Sequence, residues 1–92
     1  MYKVRSSKAF RRALKQLARS SLADVSCVQN VVALLSNGNP LPRMYLDHQL
    51  SGNLKGYREC HVKNDLLLVY EIQEGMLILV LIDLGTHASL FR

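Results

Sequence analysis

Three histidines, His48, His61 and His87, fall within one 40-residue stretch of this 92-residue chain, each beside turn residues or another polar group. They sit in the segments Asp47-His48-Gln49-Leu50-Ser51-Gly52, Gly56-Tyr57-Arg58-Glu59-Cys60-His61 and Gly85-Thr86-His87-Ala88-Ser89-Leu90-Phe91, and Asp65 follows the second. Histidine is the side chain whose unperturbed titration lies nearest neutrality. Two or three of them brought together can both take and give a proton at working pH. That equipment suits metal-free cleavage of RNA. One imidazole removes the proton of a ribose 2′-OH, a second protonates the departing 5′-oxygen, and cations stabilise the charge that builds on the phosphoryl group. RNA supplies its own nucleophile, so neither a metal nor an enzyme nucleophile is required. Two other readings stand beside this one. The histidines are unrelated surface or core residues, or His48, His61, His87 and Asp65 bind zinc. Tetrahedral geometry permits the latter, but metal sites usually draw two ligands from one short motif and the chain has no such pair.

Bulk properties narrow the field. Ninety-two residues make one small domain, spanning 1–92. An apolar content of 49% and a charged content of 21% belong to a folded protein rather than a disordered one. The net charge is +5, and a basic balance favours an anionic partner such as nucleic acid or an acidic protein. Seven of the twelve basic residues, Lys3, Arg5, Lys8, Arg11, Arg12, Lys15 and Arg19, precede the first acid, Asp24. The two cysteines, Cys27 and Cys60, form neither a CxxC pair nor a disulfide framework, and read as reduced thiols of a cytoplasmic protein. No signal peptide is evident. The longest apolar run, 76–82, has seven residues, too few to span a bilayer, so no membrane partner is expected.

The elements that must position the histidines follow from periodicity. Residues 2–5 alternate and suit a short first strand. Ser6 or Ser7 can cap a helix, in which Phe10, Ala13, Leu14 and Leu17 share one face while Arg11, Arg12, Lys15 and Arg19 point largely away. A break at Ser20-Ser21 leads into a second helix carrying Val25, Val28, Val31, Val32 and Leu35. It stops at Ser36-Asn37-Gly38-Asn39-Pro40-Leu41-Pro42. The helices should form an antiparallel hairpin. From Tyr45 onward the pattern is strand-like: 45–50, 57–63, 66–72 and 76–83, with tight turns at Asn64-Asp65 and Gln73-Glu74-Gly75. Short turns force antiparallel neighbours. The expected fold is α+β, an N-terminal helical hairpin packed on one face of a small twisted antiparallel sheet.

Strand alternation puts Tyr57, Glu59 and His61 on one face and Arg58, Cys60 and Val62 on the other. If the last two strands pair, the end of the 76–83 strand lies near the Asp65 turn. His61, Asp65 and His87 then meet at one end of the sheet. Pairing rules alone do not place His48.

These residues also carry a resemblance. The stretch Leu41-Pro42-Arg43-Met44-Tyr45-Leu46-Asp47-His48-Gln49-Leu50-Ser51-Gly52, then Lys55-Gly56-Tyr57-Arg58-Glu59-Cys60-His61, then Asp65 and Leu68-Val69-Tyr70, then Leu84-Gly85-Thr86-His87-Ala88-Ser89-Leu90-Phe91, resembles the YafQ branch of the RelE/ParE toxin superfamily. The likeness covers essentially the whole chain. It implies the toxin of a type II toxin–antitoxin pair, a ribosome-dependent endoribonuclease that enters the A site, cuts mRNA within codons and stops translation. It implies 2′,3′-cyclic phosphate and 5′-OH products, no cofactor, a cognate antitoxin as partner, and DNA contact only indirectly through the antitoxin complex. Carried over, the catalytic set is His48, His61, Asp65 and His87. His87 is the candidate general acid and His48 or His61 the base, with Asp65 orienting an imidazole or assisting proton transfer. Phe91 would fix mRNA by stacking or shape the pocket. The basic first helix would meet ribosomal RNA phosphates or an acidic antitoxin segment.

The resemblance departs at two positions. Asp83 stands where the family usually carries an Arg, four residues before the last His, and a carboxylate there repels phosphate. Lys55, Arg58 and Lys63 are the nearest substitute cations for substrate binding, although alternation puts Arg58 on the face opposite His61. Leu66 stands where close relatives often have Trp, which removes a stacking platform. The alternative reading is a non-catalytic module of the same fold, either a gyrase-type poison or an attenuated toxin that only binds its antitoxin.

Overall fold

The computed structural model describes residues 1–91. Strand β1 (Lys3–Ser6) leads into helices α1 (Lys8–Ser20) and α2 (Leu22–Ser36), followed by strands β2 (His48–Gln49), β3 (Arg58–Lys63), β4 (Leu66–Gln73) and β5 (Ile78–Gly85) and a one-turn helix α3 (His87–Leu90). Tight 3-10 turns occupy Arg43–Tyr45, Gly52–Leu54 and Glu74–Met76.

The helical hairpin is built by two serines. Ser7 Oγ accepts from the Phe10 amide at 2.9 Å and starts α1. Ser21 donates its amide to Leu17 to close α1, and its Oγ accepts from the Asp24 amide at 3.1 Å to open α2. One residue therefore ends one helix and begins the next, which explains the abrupt break at Ser20-Ser21. Phe10 is buried, and Ala13, Leu14 and Leu17 pack against the same core. Lys8, Arg11, Arg12, Lys15 and Arg19 are all exposed. Among the described residues no carboxylate forms an ion pair with any of them. The like-charged pairs Lys8/Arg11, Lys8/Arg12, Arg11/Lys15, Arg12/Lys15 and Lys15/Arg19 each cost the helix about 0.2–0.5 kcal/mol.

The sheet runs in the order β1-β5-β4-β3-β2. The hairpins are antiparallel, as their short turns require, but β1 pairs parallel with β5, Lys3 against Ile78 through Ser6 against Leu81. The sheet is therefore mixed. A parallel neighbour needs a long crossover, and here the whole intervening chain supplies it. The 45–50 strand is shorter than expected. Residues Arg43–Tyr45 turn, and Leu46 adopts a left-handed conformation (φ 50°), which leaves only His48 and Gln49 in the ladder. Leu77 is likewise left-handed (φ 54°), so β5 begins at Ile78 rather than Met76.

The core lies between the helices and one sheet face. It joins Phe10, Val28, Val31 and Leu35 to Cys60, Val62, Leu68, Tyr70, Leu79, Leu81 and Leu84. A bulge keeps that face apolar along β5. Val69 pairs with Asp83 while Tyr70 pairs with Leu81, so Ile82 is the extra residue and Leu84 returns to the side of Leu81. Alternation sends Glu59, Leu67 and Val69 to the other face, where they are also buried. The segment carrying Leu50 and Leu54 folds over Glu59 there, together with His87 and Phe91. That second, partly covered face holds the candidate site. No helix among the described residues is long and apolar enough to cross a membrane.

Candidate active site

His48 is delivered by the left-handed turn at Leu46. Its Nδ1 lies 2.8 Å from the Leu46 carbonyl. A carbonyl only accepts, so Nδ1 carries the hydrogen and Nε2 is left for chemistry. Nε2 lies 3.3 Å from Oε1 of Glu59, directly across the β2–β3 pair. The His48 side chain is 49% exposed and that of Glu59 only 4%. Among the described residues, the second oxygen of Glu59, Oε2, is buried without a hydrogen-bond partner. The Glu59 side chain is therefore placed to face whatever proton Nε2 comes to carry.

His87 opens α3, a helix too short to persist without caps. Thr86 Oγ1 accepts from the Ser89 amide at 3.1 Å, and Ser89 Oγ accepts from the Thr86 amide at 3.0 Å. Asp65 Oδ1 accepts from the backbone amide of His87 at 3.0 Å. Asp65 thus holds His87 through its main chain, not through its imidazole. Gly85 is required here for space, since a Cβ would stand 2.5 Å from Ser89 Oγ. The Phe91 ring lies one helical turn beyond His87, with ring centroids 5.1 Å apart and a 50° tilt.

These pieces converge on a cleft of about 310 Å³ lined by His48, Leu50, Ser51, Leu54, Glu59, His87 and Phe91. Two of the three histidines share it. His61 pairs with Leu67, which pairs with Gly85, so it does reach the same end of the sheet. It lines a neighbouring hollow with Met44, Tyr45, Leu46, Val62, Lys63 and Asn64 instead.

The four substrate-binding candidates separate. Phe91 is in the cleft. Lys55 is exposed and follows the Gly52–Leu54 turn, whose Leu54 lines the cleft. Arg58 is on the helix side of the sheet, where its Nη2 meets Asp47 Oδ2 at 3.0 Å. Lys63 Nζ lies 2.8 Å from Asp24 Oδ1 and ties β3 to the start of α2. Asp83 accepts from its neighbour's amide, Leu84 N, at 2.8 Å and is not among the residues lining the cleft. Sequence reasoning missed Glu59 as a member of the site. The signal was present, since alternation already set it on the face of His61, but an acid in a strand looks like a solvated residue until β2 is docked beside it. Cys60, next in the chain, is a buried free thiol. Its pKa is pushed up to about 12 by burial first and then by the charges of Asp47 and Glu59, so it is inert as a nucleophile.

With this geometry in place, comparison assigns the chain to a family. Residues 2–92 match the family of bacterial toxins of type II toxin–antitoxin systems, YafQ, and the chain belongs to it. It is 39% identical over 77 residues to the mRNA interferase toxin YafQ of Escherichia coli K12, covering 83% of this chain and 82% of that protein. Among solved structures it superposes on a metal-bound toxin from Helicobacter pylori with a TM-score of 0.91, 43% identity and coverage of 99% and 100%. It superposes on the E. coli DinJ–YafQ complex with a TM-score of 0.87 and 32% identity, each chain covered in full. Helices on a five-stranded mixed sheet are thus the architecture it shares with these toxins. The metal of the H. pylori protein finds no ready-made ligand set here. Among the described residues no three His, Cys, Asp or Glu side chains are grouped to hold an ion.

Proposed function

We propose that this chain is the toxin of a type II toxin–antitoxin pair and cleaves mRNA on the ribosome by acid–base catalysis, leaving a 2′,3′-cyclic phosphate and a 5′-OH. The observation that carries the reading is the placement of His87, Phe91 and the His48–Glu59 pair in one cleft. The name of the E. coli relative, an mRNA interferase, supports the same activity.

In this mechanism the exposed His48 ring takes the 2′-OH proton on Nε2. The imidazolium so formed faces the Glu59 carboxylate, which stabilises it and can share the proton. The 2′-oxygen bonds to phosphorus, the P–O5′ bond breaks, and His87 gives its proton to the departing 5′-oxygen. Asp65 keeps His87 in place through α3. Phe91 stacks on a base or shapes the wall beside it. Arg58 and Lys63 are engaged by Asp47 and Asp24, so of these three candidates Lys55 is the one to approach the phosphate. His61, in the adjoining hollow, serves RNA placement or a proton relay.

The ribosome and mRNA are the proposed partners in action, and an antitoxin the partner at rest, as DinJ is for YafQ in the E. coli complex. The unpaired cationic face of α1 supports the first of these. Counterion release at RNA phosphates would offset its self-repulsion. Ribosome binding should therefore weaken steeply with salt, and Lys15→Ala with Arg19→Ala should flatten that slope by about two. The direct test of function is cell-free translation beside DNA synthesis. Inhibited translation with spared DNA synthesis supports the reading, whereas the reverse supports a gyrase-type poison.

A further inference from the structure

We infer that Asp47, Arg58 and Tyr70 form an anchor on the helix side of the sheet that positions the His48 ring on the opposite side. The inference rests on the reading of His48 as a proton-transfer residue.

Strand β2 contributes two residues to the ladder and lies at the sheet edge. So short a strand cannot hold its own register against slippage. A one-residue slip would move His48 from Glu59 to Arg58 or Cys60 and turn its ring to the other face. Something beyond the backbone has to pin it. Neighbouring residues of a strand point to opposite faces, and here each takes a partner on its own side. His48 meets Glu59 on the cleft side, and Asp47 meets Arg58 on the helix side. The two contacts grip β3 from both faces at adjacent positions.

The Asp47 grip is rooted in the core. Its Oδ2 accepts from Arg58 Nη2 at 3.0 Å and its Oδ1 from Arg58 Nε at 3.4 Å. Tyr70 donates its hydroxyl to the same Oδ1. Tyr70 is 1% exposed and pairs with Arg58 across β3 and β4. Asp47 therefore cannot shift without disturbing a packed aromatic ring. Leu46, just before it, holds the left-handed turn and offers its carbonyl to His48 Nδ1. The imidazole is thus set by two neighbours along the chain, one tied to its own ring and one tied through the sheet. This also accounts for Arg58, next in the chain to the cleft residue Glu59, being turned away from the cleft.

A double-mutant cycle tests the anchor. Single-turnover cleavage and thermal melting are compared for wild type, Asp47→Asn and Tyr70→Phe, each alone and on a His48→Ala background. Asp47→Asn should slow cleavage about 10-fold with KM nearly unchanged, because it misplaces a group that acts in the chemical step. On the His48→Ala background it should cost nothing further, while the loss in Tm is the same on both backgrounds. Equal fold-losses on both backgrounds would overturn the inference and leave the three residues a role in the fold alone. Tyr70→Phe keeps the core filled and repeats the test should Asp47→Asn fail to fold. The His48 ring cross-peaks in ¹H–¹³C spectra should move or broaden in both variants while those of His61 stay put. Unmoved His48 signals would overturn the anchor even if the wild type cuts no RNA, an outcome that would separately remove the proton-transfer reading.

Discussion

Glu59 Oε1 lies 3.3 Å from His48 Nε2, and the ring's other nitrogen is taken by a carbonyl. The carboxylate is almost wholly buried, and its second oxygen has no partner among the described residues. A proton acquired by His48 therefore lands beside a negative charge that water does not screen. Glu59→Gln keeps the shape and removes that charge. It should lower the single-turnover rate about 10²-fold with little change in ribosome affinity. A rate within about twofold of wild type would remove Glu59 from the chemistry.

Asp65 supports His87 through the backbone. Asp65→Ala should unfasten α3 at its first amide, at a stability cost of about 0.5–2 kcal/mol, as for other lost N-terminal caps. Activity should fall with it. His87→Ala removes only an exposed ring and should abolish cutting without lowering Tm. Melting curves of the two variants separate the roles. A destabilised His87→Ala, or an Asp65→Ala variant that melts like wild type, would contradict them.

The described residues that line the cleft include no Lys or Arg to meet a phosphate. Asp83 faces Val69 in the β4–β5 pair, with Glu59 on the far side of Val69. Asp83→Arg should speed cleavage by about 10-fold or more, within the range of a single charge-stabilising group. Lys55→Ala should slow it, whereas Lys63→Ala should act mainly on the tie between β3 and α2. Rate constants at saturating ribosome decide the point. An Asp83→Arg variant no faster than wild type would mean that the phosphate lies elsewhere.

Burial holds the Cys60 thiol protonated up to about pH 12, against an ordinary value of 9.0. The unfolded chain releases that proton earlier and so binds fewer protons above about pH 9. Stability from this residue is complete below that pH and declines as pH rises from about 9 towards 12. Urea midpoints at pH 8 and pH 10 should show the decline, and Cys60→Ala should reduce it. A wild-type midpoint that does not fall over this range would show that the thiol is not the titrating group.

Much of the fold could be read from local rules. Ser7 and Ser21 sit at helix starts with acceptors to offer, and Asn64-Asp65 allows only a hairpin. The parallel pairing of β1 with β5 was not legible, because nothing local links residues more than 70 positions apart. The short β2 was not legible either. Its length depends on the left-handed Leu46, a conformation that leucine sequences do not advertise. Alternation located Arg58 away from His61, and the β4–β5 register brought Asp65 to His87. What alternation cannot supply is docking of an edge strand. For that reason the sequence alone neither places His48 nor singles out Glu59, and it groups His61 with a cleft that the residue adjoins rather than lines.

In the proposed mechanism His87 gives a proton to the RNA leaving group on the ribosome. Primer extension on a reporter mRNA in a reconstituted translation system, with wild type beside His87→Ala, tests it most directly. New 5′ ends inside codons that require ribosomes and vanish in His87→Ala are the predicted result. Cuts that persist in His87→Ala, or that arise equally on free mRNA, would contradict the account.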